Sequence, residues 1–530
     1  MLRKIRIILA VAVFTLITFL FLDFTGTLHL WFGWLAKVQL IPAILAVNIV
    51  ALIVLALLTS VFGRVYCSVI CPLGIMQDGI SNIAGRRKGK KNRFSYSKAK
   101  NWLRYSVLAL FFIALVAHIS VIYTLLDPYA AYGRIASNFF ALIYRLGNNL
   151  LAIFAERVDS YAFYSTEVWI KSWTVFGVAL ATLAAVGILA WRNGRTYCNT
   201  ICPVGTLLGS ISTHSIFSTY YPLFKKNFDV DKCTGCGLCE RNCKASCINS
   251  KEHKIDYSRC VVCFNCIEKC KTGAISYKFQ PFGKKENVET AAVLESSNGN
   301  DGLSRRNVLS LLGAFAVGQT IKAQLPPSPP LPPPQLPPPT PLHLVSVDGG
   351  LAPIEDKIAP TRETPIVPPG AGSLKNMKKH CTACQLCISA CPNNVLRPSK
   401  KFATLMQPEM SFEKGYCRPE CVECSSVCPT GAIKSVTTAQ KSVIAVGSAV
   451  WIENNCIVLR DNEQCNACEV KCPTEAVTMR KLDPEQRDSL EVPVIDKEKC
   501  IGCGACEYVC PARPLSAIYV EGNVIHREIW

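Results

Sequence analysis

The chain holds 530 residues, 29 of them cysteine, half of them hydrophobic, with a formal charge of +19. Only 18% of residues are charged, which excludes a disordered chain, and the length excludes a small disulfide-stapled secreted fold. The cysteines fall in tight groups with two- and three-residue gaps, which is metal-ligand spacing. Part of the charge is offset by cluster thiolates: six oxidised four-iron clusters would bring it down to about +7.

Four apolar stretches are long enough to span a bilayer: Ile5–Leu22, Leu40–Phe62, Leu103–Leu126 and Trp173–Trp191. Residues 63–102 hold nine Lys and Arg against a single acid, Asp78. That bias reads as a cytoplasmic loop and not as a nucleic-acid surface. The N-terminus and the chain from residue 192 onward are then cytoplasmic too. Ala136–Phe154 is apolar but broken by Arg145 and two Asn, so it is expected to be interfacial or re-entrant. A signal peptide is the competing view of the first stretch, but no small-residue cleavage site follows it.

A repeat follows the second and fourth stretches. Gly63-Arg64-Val65-Tyr66-Cys67-Ser68-Val69-Ile70-Cys71-Pro72-Leu73-Gly74 recurs as Gly194-Arg195-Thr196-Tyr197-Cys198-Asn199-Thr200-Ile201-Cys202-Pro203-Val204-Gly205. Cysteines four apart on a helical turn share a face, so two such pairs can converge on one four-thiolate site. Whether Cys67, Cys71, Cys198 and Cys202 hold a cluster or dithiol pairs stays open at this point. Either way they are the expected catalytic residues.

Residues 233–275 read as a two-cluster ferredoxin, with Cys233, Cys236, Cys239 and Cys243 followed by Cys260, Cys263, Cys266 and Cys270. In this spacing the fourth thiolate of each quartet reaches the other cluster. Lys244 and Lys271 stand where proline is usual, and Cys247 is left over as a substitute for Cys243. Leu303-Ser304-Arg305-Arg306-Asn307-Val308-Leu309, followed by a short apolar run, has the order of a twin-arginine export signal. Proline-rich residues 326–341 predict an extended spacer of roughly 50 Å. Four more quartets follow: Cys381, Cys384, Cys387, Cys391; Cys417, Cys421, Cys424, Cys428; Cys456, Cys465, Cys468, Cys472; and Cys500, Cys503, Cys506, Cys510. Proline follows each fourth cysteine, and adjacent or nested pairing of the quartets both fit.

The expected fold is an α-helical membrane domain of about four transmembrane helices with an internal repeat, plus α+β ferredoxin-like [4Fe–4S] domains. The expected segments are 1–225 (membrane), 226–280 (two-cluster ferredoxin), 281–325 and 326–375 (linkers) and 376–530 (four-cluster ferredoxin). About six [4Fe–4S] clusters are expected, with one further centre at the membrane cysteines. No haem-attachment, dinucleotide or phosphate-loop motif is present, so a lipid carrier or a protein is the expected electron donor.

On the doubled Gly-Arg-x-Tyr-Cys-x3-Cys-Pro-x-Gly and the quartets after it, residues 1–280 resemble the NapH-type membrane ferredoxins. On Ser304-Arg305-Arg306 and the four later quartets, residues 303–530 resemble the NapG/MauM-type exported ferredoxins. The resemblance implies a quinol dehydrogenase in the bacterial inner membrane. It would take electrons from the quinone pool and pass them to a periplasmic reductase or cytochrome in a nitrate-reductase-like pathway. Fusion into one chain departs from the family's two-chain pattern. Two other readings compete: a cluster-bearing regulator or assembly factor of an oxidase or metalloenzyme, and an electron acceptor whose clusters are all cytoplasmic. Quinol oxidation also needs a base, for which location alone nominates Asp23, His29, His118 and Asp127.

Overall fold

The computed structural model describes residues 1–23, 26–85, 94–157, 163, 168–213, 224–279, 357–486 and 489–529. The twin-arginine and proline-rich segments lie outside these, as do the loop residues 86–93. The described residues form one compact unit.

In chain order the main helices are α1 (Leu2–Leu22), α2 (Leu40–Leu45), α3 (Ile49–Phe62), α4 (Pro72–Gly85) and α5 (Asn101–Val116). They continue as α6 (Ser120–Leu126), α7 (Pro128–Ile135), α8 (Ala141–Glu156), α9 (Trp173–Asn193) and α10 (Pro203–Thr213). Among the described residues only α1 and α9, 21 residues each, are long and apolar enough to cross a membrane. At 1.5 Å per residue each reaches about 31 Å, the thickness of a hydrocarbon core.

Four unbroken spanning helices are thus not found among the described residues, and the second and third stretches are interrupted helices. The second stretch is broken where Val47 turns left-handed (φ 52°) and Asn48 caps α3 by accepting from the Ala51 N–H at 3.1 Å. The third is broken at His118 (φ 57°). Hydropathy averages over composition, whereas one left-handed residue with a capping side chain is enough to end a helix.

The two long helices run between the cysteine-rich parts. Near its start, α1 pairs Arg3 with Glu268 and Arg6 with Asp78. Near its end, Phe21 and Cys384 O both crowd Gly133, and Gly26 abuts the Glu423 carboxylate. The start of α9 packs Val175 against Ala383 and Met406. Just past its end, the Arg195 N–H donates to Lys244 O at 2.9 Å. Each long helix thus touches residues 233–270 at one end and residues 381–428 at the other.

Between them α7 is buried along its whole length. Asp127 caps it, accepting from the Tyr129 N–H at 3.0 Å, and Pro128 occupies its first turn, where no N–H is needed. A π-helical turn, Ala136–Phe140, leads into α8. Ile143, Leu146, Leu150 and Phe154 on α8 are exposed.

The cysteine-rich parts are α+β, and among the described residues they hold five two-stranded antiparallel sheets. β1 (Phe224–Phe228) pairs with β4 (Ile275–Phe279), and β2 (Ile248–Asn249) with β3 (Lys254–Ile255). In the later part β5 (Leu396–Pro398) pairs with β6 (Pro408–Met410) and β8 (Val477–Lys481) with β9 (Glu491–Ile495). β7 (Ile444–Trp451) pairs with β10 (Ile518–Glu528) from Trp451↔Ile518, with a bulge between Gly522 and Arg527. Ferredoxin sheets this small cannot bury much by themselves, and the cysteine loops fill the space between them.

Candidate iron–sulfur centres and their connections

The two repeat blocks close on each other. Gly63 (φ 80°) and Gly194 (φ 71°) end α3 and α9 in the left-handed region, and short helical turns then carry the first cysteine of each pair. Pro72 and Pro203 start α4 and α10. Cys67, Cys71, Cys198 and Cys202 are all at most 5% exposed. Burial raises the Cys71 and Cys202 thiols, and cysteines of the other block add to it: Cys198 at Cys71, and Cys71 and Cys67 at Cys202. The fold brings the two cysteine turns against each other through their backbones, with Arg64 bonded to Cys198 O and Arg195 to Cys67 O.

The arginines of the repeat cross over. Arg64 donates to Asn199 Oδ1 at 3.0 Å and to Cys198 O at 3.3 Å, and stands 3.8 Å from Cys67 Sγ. Arg195 donates to Cys67 O and stands 3.9 Å from Cys198 Sγ. Each block therefore holds the other's cysteine turn. The crossing explains the last glycine of each block. A Cβ on Gly74 would lie 2.5 Å from Cys67 O and 2.7 Å from Arg195 Nη1; on Gly205 it would lie 2.2 Å from Cys198 O and 2.7 Å from Arg64 Nη2. Sequence reasoning missed these two arginines, although their exact recurrence before each cysteine pair was the signal.

Burial raises the Cys71, Cys198 and Cys202 thiols, so they ionise only with cationic help. Arg195 opposes burial at Cys71 and Cys198, and Arg64 at Cys198. Arg64 Nε and Arg195 Nη2 are buried without a hydrogen-bond partner. Two guanidinium groups, each with one nitrogen to spare, stand beside the four thiols and fit an anionic centre. Among the described residues no three His, Cys, Asp or Glu side chains close on one metal-ion position. A cubane, which presents a separate iron to each thiolate, needs no such closure.

The first ferredoxin sits directly on this site. Arg64 donates to Ser258 O at 2.9 Å, Asn199 to Ala245 O at 3.1 Å, and Lys244 lies 3.6 Å from Asp78. Lys244, which departs from the usual proline, is thereby explained as a docking residue. Cys260, Cys263 and Cys266 are buried at this contact, whereas Cys236 is exposed. The leftover Cys247 is buried with its sulfur 3.5 Å from Cys243 Sγ, and it also bonds Cys260.

In the later part the fourth cysteine of each quartet lies with the neighbouring quartet. Cys428 raises the thiols of Cys381, Cys384 and Cys387, and Cys391 those of Cys417, Cys421 and Cys424. Cys472 lies with Cys500 and Cys503, and Cys510 with Cys465 and Cys468, beside Cys456. These electrostatic neighbours favour adjacent over nested pairing. The two pairs meet where the Cys417 N–H donates to Cys503 O at 2.9 Å.

The loops carry a shared backbone signature. Residues flanking the second cysteine are left-handed at Gly235 and Gly237, Val262 and Phe264, Ala383 and Gln385, and Gly502 and Gly504. That turn aims N–H groups at sulfur, as from Gly235 to Cys233 and from Ala383 to Cys381, both at 3.4 Å. For Val262 and Phe264 it is strained, and it persists only where the surroundings enforce it. The two quartets with unusual first gaps lack it: Val422 has φ −117° and Asn466 φ −125°. Lys441 instead donates to Arg418 O and Cys421 O and lowers the Cys417 thiol against burial.

Between the repeat cysteines and Cys384 lies a buried polar group. Burial pushes the Asp127 carboxyl up to about 7 and the Arg134 guanidinium down to about 10. All three guanidinium nitrogens of Arg134 are without a hydrogen-bond partner, and it faces Asp127, Tyr197 and Cys384. A buried cation beside Cys384 fits an anionic cluster there. Of the other nominated bases, Asp23 and His29 face each other at 3.4 Å, and His118 lies at a helix break.

The 4Fe-4S binding domain family matches residues 44–91 and 174–228, one copy for each cysteine repeat. The 4Fe-4S dicluster domain family matches residues 380–432 and 463–513, in line with the adjacent pairing. A methylamine utilization ferredoxin-type protein MauM of Methylobacillus flagellatus is 30% identical over 166 residues, 30% of this chain and 70% of that protein. The chain belongs to the MauM/NapG family of ferredoxin-type proteins. Ferredoxin-type protein NapG of Escherichia coli strain K12 is 30% identical over 190 residues, 32% of this chain and 78% of NapG. Ferredoxin-type protein NapF of the same strain is 28% identical over 159 residues, 30% and 87% of the two chains. No solved structure matches. Like these MauM and NapG relatives, the chain is an iron–sulfur electron-transfer protein with multiple [4Fe–4S] centres.

Proposed function

We propose that the chain is a membrane-embedded quinol dehydrogenase that relays electrons through [4Fe–4S] clusters to an exported redox partner. The observation that carries this reading is the pair of long apolar helices with cysteine-rich parts at opposite ends. If α1 and α9 span the bilayer, residues 233–270 face the cytoplasm and residues 381–510 the outer aqueous phase, as charge bias predicts. The four membrane cysteines hold a shared centre, since each repeat supplies two thiolates and a cubane needs four. Bound clusters supply one-electron storage; the chain's own residues position them, exclude water and compensate their charge. Arg64 and Arg195 do this at the membrane thiols, Lys441 at Cys417 and Arg134 at Cys384.

The test is anaerobic addition of menaquinol to the purified protein, with cluster reduction followed by electron paramagnetic resonance. The wild type is expected to be reduced. Clusters that dithionite reduces and quinol leaves oxidised, at matched potentials, refute the reading. A phosphatase fused after Trp530 is expected to be active only if the C-terminus is exported.

A further inference from the structure

The later ferredoxin part carries one large aromatic side chain that its own fold leaves almost wholly outside. Phe402, at the tip of the loop between β5 and β6, is 79% exposed. The loop beneath it is tightly built. The Ser399 N–H donates to Gln407 O at 2.7 Å, the Met406 N–H donates to Ser399 O at 3.0 Å, and the Ser399 and Thr404 hydroxyls bond at 2.9 Å. Lys401 folds back and donates to Arg362 O at 2.9 Å. Thr404 and Met406 are buried, so the loop turns these side chains inward and holds Phe402 out.

The same loop meets the helical part of the chain. Ser120 Oγ, at the start of α6, donates to Ala403 O at 3.2 Å, one residue from Phe402. Val175, near the start of α9, packs against Met406. Around this contact the helices are exposed and apolar: Ile113 and Val116 at the end of α5, Ile119 before α6, and Trp173 at the first position of α9. Phe402 extends that band onto the ferredoxin. One exposed apolar side chain needs no explanation, but a band drawn from several segments marks a contact surface.

Two features select lipid as what covers it. The band continues along the exposed apolar flank of α9, where Trp173 and Trp191 are both exposed. They stand 18 residues apart, about 27 Å along the helix, close to the thickness of a hydrocarbon core. Aromatic rings at that spacing mark the two membrane–water interfaces, and Phe402 lies at the Trp173 end. Lys400 and Lys401, both exposed, directly precede Phe402. An apolar tip flanked by lysines matches acyl chains under a layer of phosphate headgroups.

We propose that Phe402 inserts into the lipid interface beside the α5–α6 break, so that the later ferredoxin is held on the bilayer surface by its own loop as well as by its tether. The proposal rests on the membrane placement in the reading above and is independent of the quinol chemistry. The cluster loop from Cys381 to Cys391 is then kept at a fixed height over the membrane. The domain does not swing out to the reach that a proline-rich spacer permits, and a redox partner must come to the membrane to meet it.

The test uses the full-length, cluster-loaded protein in nanodiscs of phosphatidylcholine and phosphatidylglycerol that carry a diazirine near the glycerol end of the acyl chain. After illumination, adducts are mapped by mass spectrometry. Adducts are expected on the peptide that holds Phe402 as well as on α5 and α9. In Phe402→Asp, labelling of that peptide should fall roughly tenfold, because a carboxylate is strongly disfavoured among acyl chains. Labelling of α9 and the iron content should remain those of the wild type. A wild type labelled on α9 and unlabelled around Phe402 overturns the proposal and leaves the membrane reading standing. Undiminished labelling in Phe402→Asp also overturns it, as does a cross-link between the Lys400 side chains of two copies in place of lipid adducts. If neither α1 nor α9 is labelled, the membrane reading falls and the proposal with it.

Discussion

Replacing Asp78 by Asn is the sharpest test of how the two cysteine repeats are held together. Asp78 accepts from Arg6 Nη1 and from Arg195 Nε, both at 2.9 Å, and lies 3.6 Å from Lys244 Nζ. The four side chains come from α4, α1, the end of α9 and the first ferredoxin, and none is more than 13% exposed. Burial alone would raise the Asp78 carboxyl; Arg195, Lys244 and Arg6 overcome it and hold the group well below the ordinary carboxylate range. Breaking one buried ion pair costs about 3–5 kcal/mol, because the remaining charge is left uncompensated. Here three cations lose one shared anion, so Asp78→Asn belongs at the upper end, with a melting decrease on the order of 10 °C. The folded carboxyl binds its proton less readily than the unfolded one. Its stabilisation is therefore fully present above about pH 4 and is lost only as pH falls below that. The gap between wild type and Asp78→Asn should stay constant from pH 8 to pH 5. Differential scanning fluorimetry in detergent measures it. The exposed Asp229–Lys232 pair is the control, where Asp229→Asn should leave melting unchanged. An Asp78→Asn protein that melts with the wild type would refute the hub.

Three further outcomes are expected. Gly74→Ala should destabilise by about 1–3 kcal/mol, because its Cβ meets Cys67 O at 2.5 Å, while Gly79→Ala, with nothing within 4 Å on the same helix, should be neutral or stabilising; comparative melting separates them. Cys243→Ser and Cys247→Ser should each keep the full iron content, with about four irons lost only in the double variant, as measured by iron analysis; loss in Cys243→Ser alone would make Cys247 a bystander. Burial lowers His526 to about 4, so the unfolded chain takes up its proton first, and stability declines as pH falls from about 6.5 towards 4; His526→Phe should flatten that limb by at most about 3 kcal/mol in denaturant titrations.

Cysteine spacing was legible because a cubane constrains local geometry: quartet membership depends on gaps of two or three residues. The doubled Cys-x3-Cys-Pro block was legible for the same reason. What joins the copies was not, because it is non-local. Arg64 reaches Asn199, 135 residues away, and Arg195 reaches Asp78, 117 residues away. Asp78 itself read as the odd acid in a basic loop. Helix continuity failed at Val47 and His118, where backbone conformation rather than composition decides. Pairing of the later quartets needed space as well as spacing, since Cys391 and Cys428 could each have closed on several neighbours.

The exchange of fourth cysteines has a mechanistic consequence for a two-electron donor. A cluster stores one electron, so quinol oxidation at one cluster needs a second acceptor close by. If Cys391 leaves its own quartet to join Cys417, Cys421 and Cys424, the chain between Cys387 and Cys391 links the two clusters through three intervening residues. Cys417 then contacts Cys503 through its backbone, which extends the path to the second pair. In the proposed relay, the order of transfer in this part follows from which cysteine each loop lends to its neighbour. Cys391→Ser should therefore spare the cluster of Cys381, Cys384, Cys387 and Cys428 and remove its partner. One electron per quinol would then be accepted and the second refused, which would accumulate a semiquinone radical visible by electron paramagnetic resonance.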